Sequence, residues 1–424
     1  MKNYVLKGNI CYSKNKNELH VVEHGYLVCK DGKSEGVYTE LPEEYKAYEL
    51  HDYEDRIIIP GLTDLHVHAP QYSFRGLGMD LELLDWLNTH TFPEESKYKD
   101  IEYAEKAYDI FVDDLKKSAT TRACIFGTIH VDATLSLMDK LEKSGLHTMV
   151  GKVNMDRNSP EYLCEENAQQ SIEDTKKWLE QAKSRFKNTM PILTPRFIPS
   201  CTDGLMEKIA ALQKETGLPV QSHLSENQGE IAWVKELCPK SKFYGDAYDQ
   251  FGLFGGDCKT IMAHCVSSGE EEIERMKERG VFVAHCPASN TNLSSGVAPI
   301  RTYLDKDMKV GLGSDVAGGE KLSILQAMSD AVKSSKLRWR LLDTSLAPLT
   351  FEEVFYLGTV GGGEFFGKVG SFEKGYEFDA VVLDDANLRF PQALSVKLRL
   401  ERMIYLADDR NVVDKYVAGK NIFE

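Results

Sequence analysis

Short apolar runs recur through the middle of the chain, with amphipathic stretches between them. The runs fall at residues 57–66, 120–127, 148–155, 190–197, 219–224, 259–266, 281–286 and 308–314. Runs of this length bounded by polar turns read as buried strands. The stretches at 101–117, 165–187, 203–215 and 270–278 carry apolar residues at helical spacing and read as helices. Eight strands alternating with helices predict an α/β fold, a (β/α)8 TIM barrel over residues 61–370. A doubly wound open sheet would place a glycine-rich phosphate turn after its first strand, and residues 60–68 supply none.

The two ends of the chain have another texture. Residues 4–12, 19–30 and 35–38, and again 379–383 and 412–417, are rich in β-forming side chains separated by polar turns. Neither end could bury a core alone. Residues 1–60 and 371–424 are therefore expected to pair into one small β-sandwich domain beside the barrel.

Composition narrows the class of partner. The formal charge of -15 leaves no basic footprint for nucleic acid. No apolar run approaches the ~20 residues needed to cross a bilayer, so no membrane partner is expected. The nine cysteines form no Cys-x-x-Cys pair, and residues 1–6 lead straight into mixed sequence with no signal segment. Reduced thiols and a cytoplasmic location are expected. Cys124, Cys265 and Cys286 read as small core residues.

The chemistry-bearing residues stand where apolar runs end, which in a barrel of this kind is the active-site face. His66 and His68 close the first run; residues i and i+2 of a strand share a face, so both imidazoles point into the barrel mouth. His223 ends the fifth run, His264 the sixth and Asp315 the eighth, and Gly311 and Gly313 leave room beneath the aspartate. Three imidazoles and one carboxylate suit a catalytic divalent metal with an open position for water. Glu226, three residues after His223, could move protons between water and a ring nitrogen without joining the metal shell.

Taken in order, Pro60-Gly61-Leu62-Thr63-Asp64-Leu65-His66-Val67-His68, His223-x-x-Glu226, Ala263-His264, Ala284-His285-Cys286-Pro287-Ala288-Ser289-Asn290 and Gly313-Ser314-Asp315 resemble the amidohydrolase superfamily, in its single-metal deaminase branch. The likeness spans most of the chain. Ala69-Pro70-Gln71-Tyr72-Ser73-Phe74, Leu84-Asp85-Trp86-Leu87, Thr91-Phe92-Pro93-Glu94, Thr194-Pro195-Arg196-Phe197 and Ser314-Asp315-Val316-Ala317-Gly318-Gly319 resemble guanine deaminases within it.

The resemblance implies one divalent metal, zinc in the family and iron in some related deaminases, held by His66, His68, His223 and Asp315. It places His264 near the bound water, and it implies that Gln71 and Arg196 hold a purine with Phe197 beside it. An amide donor and an arginine fork can address the O6 acceptor of guanine. The expected reaction is hydrolytic deamination of guanine to xanthine and ammonia: Asp315 accepts the water proton, His264 orients the nucleophile, and Glu226 protonates the ring nitrogen next to C2. A homodimer is also implied. Rival readings are a deaminase of another aminopurine, a pterin or an S-adenosyl nucleoside, and a metal-free scaffold barrel. Zinc deaminases of the His-x-Glu and Pro-Cys-x-x-Cys type are excluded, because neither motif occurs. Lys152 leaves room for a binuclear site, His285 is assigned to support of the ligands, and Trp86 to packing. His90, His130 and His147 are taken as structural.

Overall fold

The eight runs arrange as strands around a closed barrel in the structure, a computed structural model that describes residues 3–423. Leu62–His68, Thr120–Phe126, His147–Gly151 and Thr189–Pro191 pair in parallel as one arc. Val220–Leu224, Thr260–His264, Phe282–His285 and Lys309–Leu312 form the other. The third and fourth strands are broken and continue as Val153–Asn154 and Thr194–Pro195, which pair with each other.

Two seams close the ring. At the first, the Leu193 N–H donates to the Pro219 carbonyl (2.9 Å) and the Gln221 N–H to the Leu193 carbonyl (3.0 Å). At the second, the Asp315 N–H donates to the His66 carbonyl (2.8 Å) and the His68 N–H to the Val316 carbonyl (3.1 Å). Barrel closure itself thus brings Asp315 against the first strand. Leu65, Cys124, Ile192, Ile261, Phe282 and Phe365 fill the interior. Ile261 with Ala263 and Phe282 with Ala284 give each strand a bulky residue below a small one, which opens the core toward the mouth.

Two boundaries differ from the sequence expectation, for identifiable reasons. The run at 57–66 is two strands: Glu49–Pro60 belongs to the terminal sheet, pairing Ile58 with Val382, and Leu62–His68 begins the barrel. Residues 57–62 are apolar and buried throughout, so periodicity gives no sign of the change at Gly61. A Cβ at Gly61 would lie 2.1 Å from the Thr121 hydroxyl, which is why the crossing needs glycine. The helix expected from 165 begins at Ala168, because the Asn167 side chain accepts from the Gln169 and Gln170 N–H groups as N-cap. Glu165 is drawn instead into a buried ion pair with Lys152.

The termini meet in one seven-stranded sheet, in the order 420–421, 412–417, 380–383, 49–60, 4–15, 18–30, 33–38. In a flat sheet, residues of strands three apart would be separated by about 14 Å. The Tyr4 and Tyr416 rings lie only 5.4 Å apart, and the Phe378 N–H reaches the Gly32 carbonyl at 2.9 Å. The sheet is therefore curled on itself around Leu6, Ile10, Leu27, Ile58, Phe372 and Phe378. No helix among the described residues is long and apolar enough to cross a membrane.

Lys415 fastens this sheet to the barrel layer. Its fully buried Nζ donates to the carbonyls of Leu115 (3.3 Å), Ser118 (2.6 Å) and Thr120 (3.0 Å), just past the end of helix Ile101–Lys117. Three acceptors match the three N–H groups of an ammonium and a helix C-terminus favours a cation, against burial, which pulls the Lys415 amine well below the ordinary lysine range. Lys415→Met withdraws the ammonium from all three carbonyls, leaving that of Leu115 its bond from the Ser118 hydroxyl (2.9 Å), and each buried group left unpaired costs about 1–3 kcal/mol. A loss of at least about 2 kcal/mol is expected in urea unfolding; an unchanged midpoint would show that the three bonds contribute nothing net.

Candidate active site

The barrel mouth gathers every side chain that the sequence motifs single out for chemistry. His66 and His68 project from the first strand, with their Nε2 atoms 3.2 Å apart. His223 Nε2 lies 3.3 Å from His68 Nε2. Asp315 Oδ1 lies 3.1 Å from His66 Nε2 and 3.4 Å from His68 Nε2. Donor atoms about 2.0–2.1 Å from a tetrahedral ion stand roughly 3.3 Å from each other. His66, His68 and Asp315 lie close enough to share one divalent metal, and His223 joins His66 and His264 in an overlapping set.

The backbone turns sharply where these residues sit. Ser225, His264, Cys265 and Asp315, at the ends of strands five, six and eight, have φ of 46°, 73°, 49° and 47°. The left-handed region costs a non-glycine residue about 1–3 kcal/mol and clusters at functional sites. Gly313 permits the last of these turns, since a Cβ there would lie 2.9 Å from both His66 Cβ and Cys286 Sγ.

Neighbouring groups fix the ring orientations. The Arg196 carbonyl can only accept, so the His223 Nδ1 2.6 Å away carries the proton and leaves Nε2 as a lone-pair donor. His264 Nδ1 meets Asn290 Oδ1 at 2.9 Å, which leaves its Nε2 3.4 Å from Glu226 Oε2 and 3.7 Å from Asp315 Oδ2. Asp64 accepts from the His66 and Ser314 N–H groups and from the Ser314 hydroxyl, tying the first strand to the eighth. Phe126 packs on His66, His68 and His223 with centroids 4.9, 4.6 and 5.0 Å away, a dry wall behind the imidazoles.

Burial drives the electrostatics. It lowers the basicity of His66, His68 and His223, keeping them neutral and able to ligate. It pushes the Glu226 carboxyl well above its ordinary range, with Asp315 adding to the effect. Burial opposes ionisation of Asp315 as well, but there the imidazoles of His66 and His264 prevail and hold the carboxyl low. Two carboxyl groups in one site are thus pushed in opposite directions, Glu226 toward its acid form and Asp315 toward its ionised form. Behind Glu226, the Glu230 carboxyl is raised to about 7 by burial and by Glu226. It accepts from the Glu226 and Asn227 N–H groups and from the Tyr244 hydroxyl.

A cavity opens onto these groups at the barrel mouth. Gln71, Arg196 and Phe197 line it together with His68, His223, Glu226, His264 and Asp315, as the sequence reading expects. Leu83, Trp86 and Leu87 form an apolar roof. Trp86 therefore does more than the packing role read from sequence: its Nε1–H reaches the Leu77 carbonyl at 3.2 Å and its ring meets Phe74, yet it also faces the cavity.

Three other expectations need correction or completion. Lys152 pairs with Glu165 and is wholly buried, so it is taken up by that ion pair rather than by a second metal. His285 supports no ligand through its ring: both nitrogens are buried without a hydrogen-bond partner. Glu95 went unnoticed in the sequence, although it stands one residue past the Thr91–Glu94 motif. Its carboxylate binds both Arg196 and Gln71. Of the histidines taken as structural, His147 Nδ1 meets Arg122 Nη1 (2.8 Å) and His90 stacks on Phe74.

Comparison with known proteins agrees with this geometry. The Amidohydrolase family model matches residues 57–422. A guanine deaminase from C. acetobutylicum, solved with guanine bound in its active site, superposes over 100% of both chains at TM-score 0.96 and 47% identity. Guanine deaminase of Dictyostelium discoideum is 41% identical over 379 residues, covering 88% of this chain and 83% of its own. That of Escherichia coli is 35% identical over 424 residues, covering 96% and 92%. The family is metal-dependent, in keeping with the His/Asp cluster. On sequence, fold and the donor set at its mouth, the chain belongs to the amidohydrolase family, alongside the guanine deaminases that it matches.

Proposed function

We propose that the chain is a guanine aminohydrolase, converting guanine and water to xanthine and ammonia. The observation that carries this reading is a single cavity with a proton donor and a proton acceptor at one end and oxo-group donors at the other. The relatives named guanine deaminase support the choice of base.

His66, His68, His223 and Asp315 would hold the ion, and zinc suits three imidazoles and a carboxylate, with iron the alternative. Such an ion would supply a water made acidic enough to ionise near neutral pH, its pKa brought from 15.7 to about 7. Asp315, ionised and 3.7 Å from His264 Nε2, accepts the water proton, while His264 fixes the direction of attack on C2. Glu226, whose acid form burial favours, donates to the ring nitrogen next to C2 and so prevents charge from building up on the purine. The proton held by Asp315 then passes to the leaving amine, and ammonia departs. Gln71 and Arg196 address O6, and Phe197 packs beside the ring.

The test is ammonia release from guanine, adenine, a pterin and an S-adenosyl nucleoside by the metal-replete enzyme, with metal content measured in parallel. Turnover of guanine alone is expected. Turnover of another ring only would overturn the roles of Gln71 and Arg196, and no turnover by metal-loaded protein would favour the scaffold reading.

A further inference from the structure

Glu95 makes no appearance in the cavity wall, yet it grips both residues that do the reading there. Its Oε1 accepts from Gln71 Nε2 at 2.9 Å and from Arg196 Nη2 at 3.1 Å, and its Oε2 accepts from Arg196 Nη1 at 2.5 Å. All three residues are buried, at 3%, 2% and 4% exposure for Glu95, Gln71 and Arg196. An unpaired guanidinium at such a depth would be strongly unfavourable, so the carboxylate balances its charge.

The pairing also decides which end of the Gln71 amide is which. Gln71 Oε1 accepts from the Ala317 N–H at 3.2 Å, while its Nε2 faces Glu95. A flipped amide would set its oxygen against a carboxylate oxygen and its NH2 against another N–H, two repulsive contacts in place of two bonds. Each amide nitrogen has two hydrogens, and one on Gln71 is left over. Arg196, clamped end-on through both Nη atoms with its Cζ 5.4 Å from the Phe92 ring centroid, likewise keeps N–H groups free of Glu95. An acceptor-only group behind the pair therefore fixes which way the Gln71 amide points, and it holds Arg196, a donor in any setting, in place.

We propose that Glu95 is the specificity-setting residue of this site: by fixing the Gln71 amide with its NH2 as the free donor and by positioning the Arg196 fork, it makes the cavity accept a 6-oxo purine and reject a 6-amino one. The inference rests on the proposed guanine activity and on Gln71 and Arg196 facing C6. A site built of fixed donors rejects a ligand that brings a further donor, because both are left unpaired; hydrogen-bonding sites discriminate by up to about 10⁴–10⁵.

The test compares kcat/KM for guanine with that for 2,6-diaminopurine, which keeps the reacting C2 amine and replaces O6 by an amine. In the wild-type enzyme a ratio above about 10³ in favour of guanine is expected. In Glu95→Gln the new carboxamide can donate to Gln71 and let its amide turn over, so the ratio should fall by about 10–100-fold with metal content unchanged. Glu95→Asp keeps an acceptor-only carboxylate and should retain the oxo preference. An equal loss on both purines in Glu95→Gln would reduce Glu95 to a structural part and overturn the proposal. So would a fall of the ratio in Glu95→Asp as large as in Glu95→Gln. A wild-type ratio near one would overturn it whether or not the variants fold. Wild-type enzyme inert toward guanine is a different outcome, and would remove the activity on which the proposal rests.

Discussion

Glu226→Gln is expected to lower kcat on guanine by about 10³-fold while leaving bound metal and the melting temperature close to wild type. The side chain is 4% exposed, and its surroundings hold it in place without ligation: Ser295 Oγ at 3.3 Å from Oε1, His264 Nε2 at 3.4 Å from Oε2, and the Glu230 carboxylate on its backbone N–H. Glutamine has the same shape and can keep most of these contacts. What it cannot do is give up a proton to the purine and recover it later in the cycle. Burial and Asp315 both raise the Glu226 carboxyl and so favour its acid form in the wild type. The loss should therefore fall on kcat, with KM changed little, since the lost interaction strengthens only as the ring nitrogen gains basicity. Retained activity would transfer the proton to another group, and Glu230, raised to about 7 directly behind it, is the next titratable carboxyl.

The parts of this site that are legible in the sequence are those whose meaning is local. His66 and His68 share a face because a strand alternates, and Asp315 follows two glycines because its turn lies against the first strand; both facts are written within a few residues. The strand runs are legible for the same reason, since each carries its own apolar stretch and its own polar stop. Glu95 is different. Its meaning comes from contacts 24 and 101 residues away, and nothing in Pro93-Glu94-Glu95 distinguishes the buried carboxylate on Arg196 from its neighbour, which pairs with Lys97 and Tyr103. His285 shows the converse: a histidine inside a motif draws a functional reading, while its ring makes no hydrogen bond. The division at Gly61 was hidden because a strand of the terminal sheet and a strand of the barrel core are both buried on two faces, and burial on two faces erases alternation.

Removing the metal with a chelator, and confirming its absence by elemental analysis, is expected to abolish ammonia release altogether and to lower the melting temperature by about 5 °C, both restored by zinc. The activity follows from the proposed chemistry, but the stability change follows from this chain's own side chains. Three imidazoles that burial keeps neutral converge on one point with spacings of 3.2 and 3.3 Å, and a carboxylate oxygen completes the set at 3.1 and 3.4 Å. His223 cannot turn away, because its Nδ1–H is fixed on the Arg196 carbonyl, and Asp315 is tied by its own N–H to the His66 carbonyl. Three Nε2 atoms presented together as lone-pair donors would repel one another without a cation between them. An ion present at about 1,000 times its Kd stabilises the folded state by about 4.1 kcal/mol. Spread over an unfolding entropy of about 2.1 cal/mol/K per residue, that gives the ~5 °C expected for a chain of 424 residues. Asp315→Asn should mimic both effects, since the amide is a poorer ligand and cannot take a proton from water. Metal-free protein with undiminished turnover would overturn the metal reading outright. Loss of turnover with no change in melting temperature would instead place the functional ion away from these four donors.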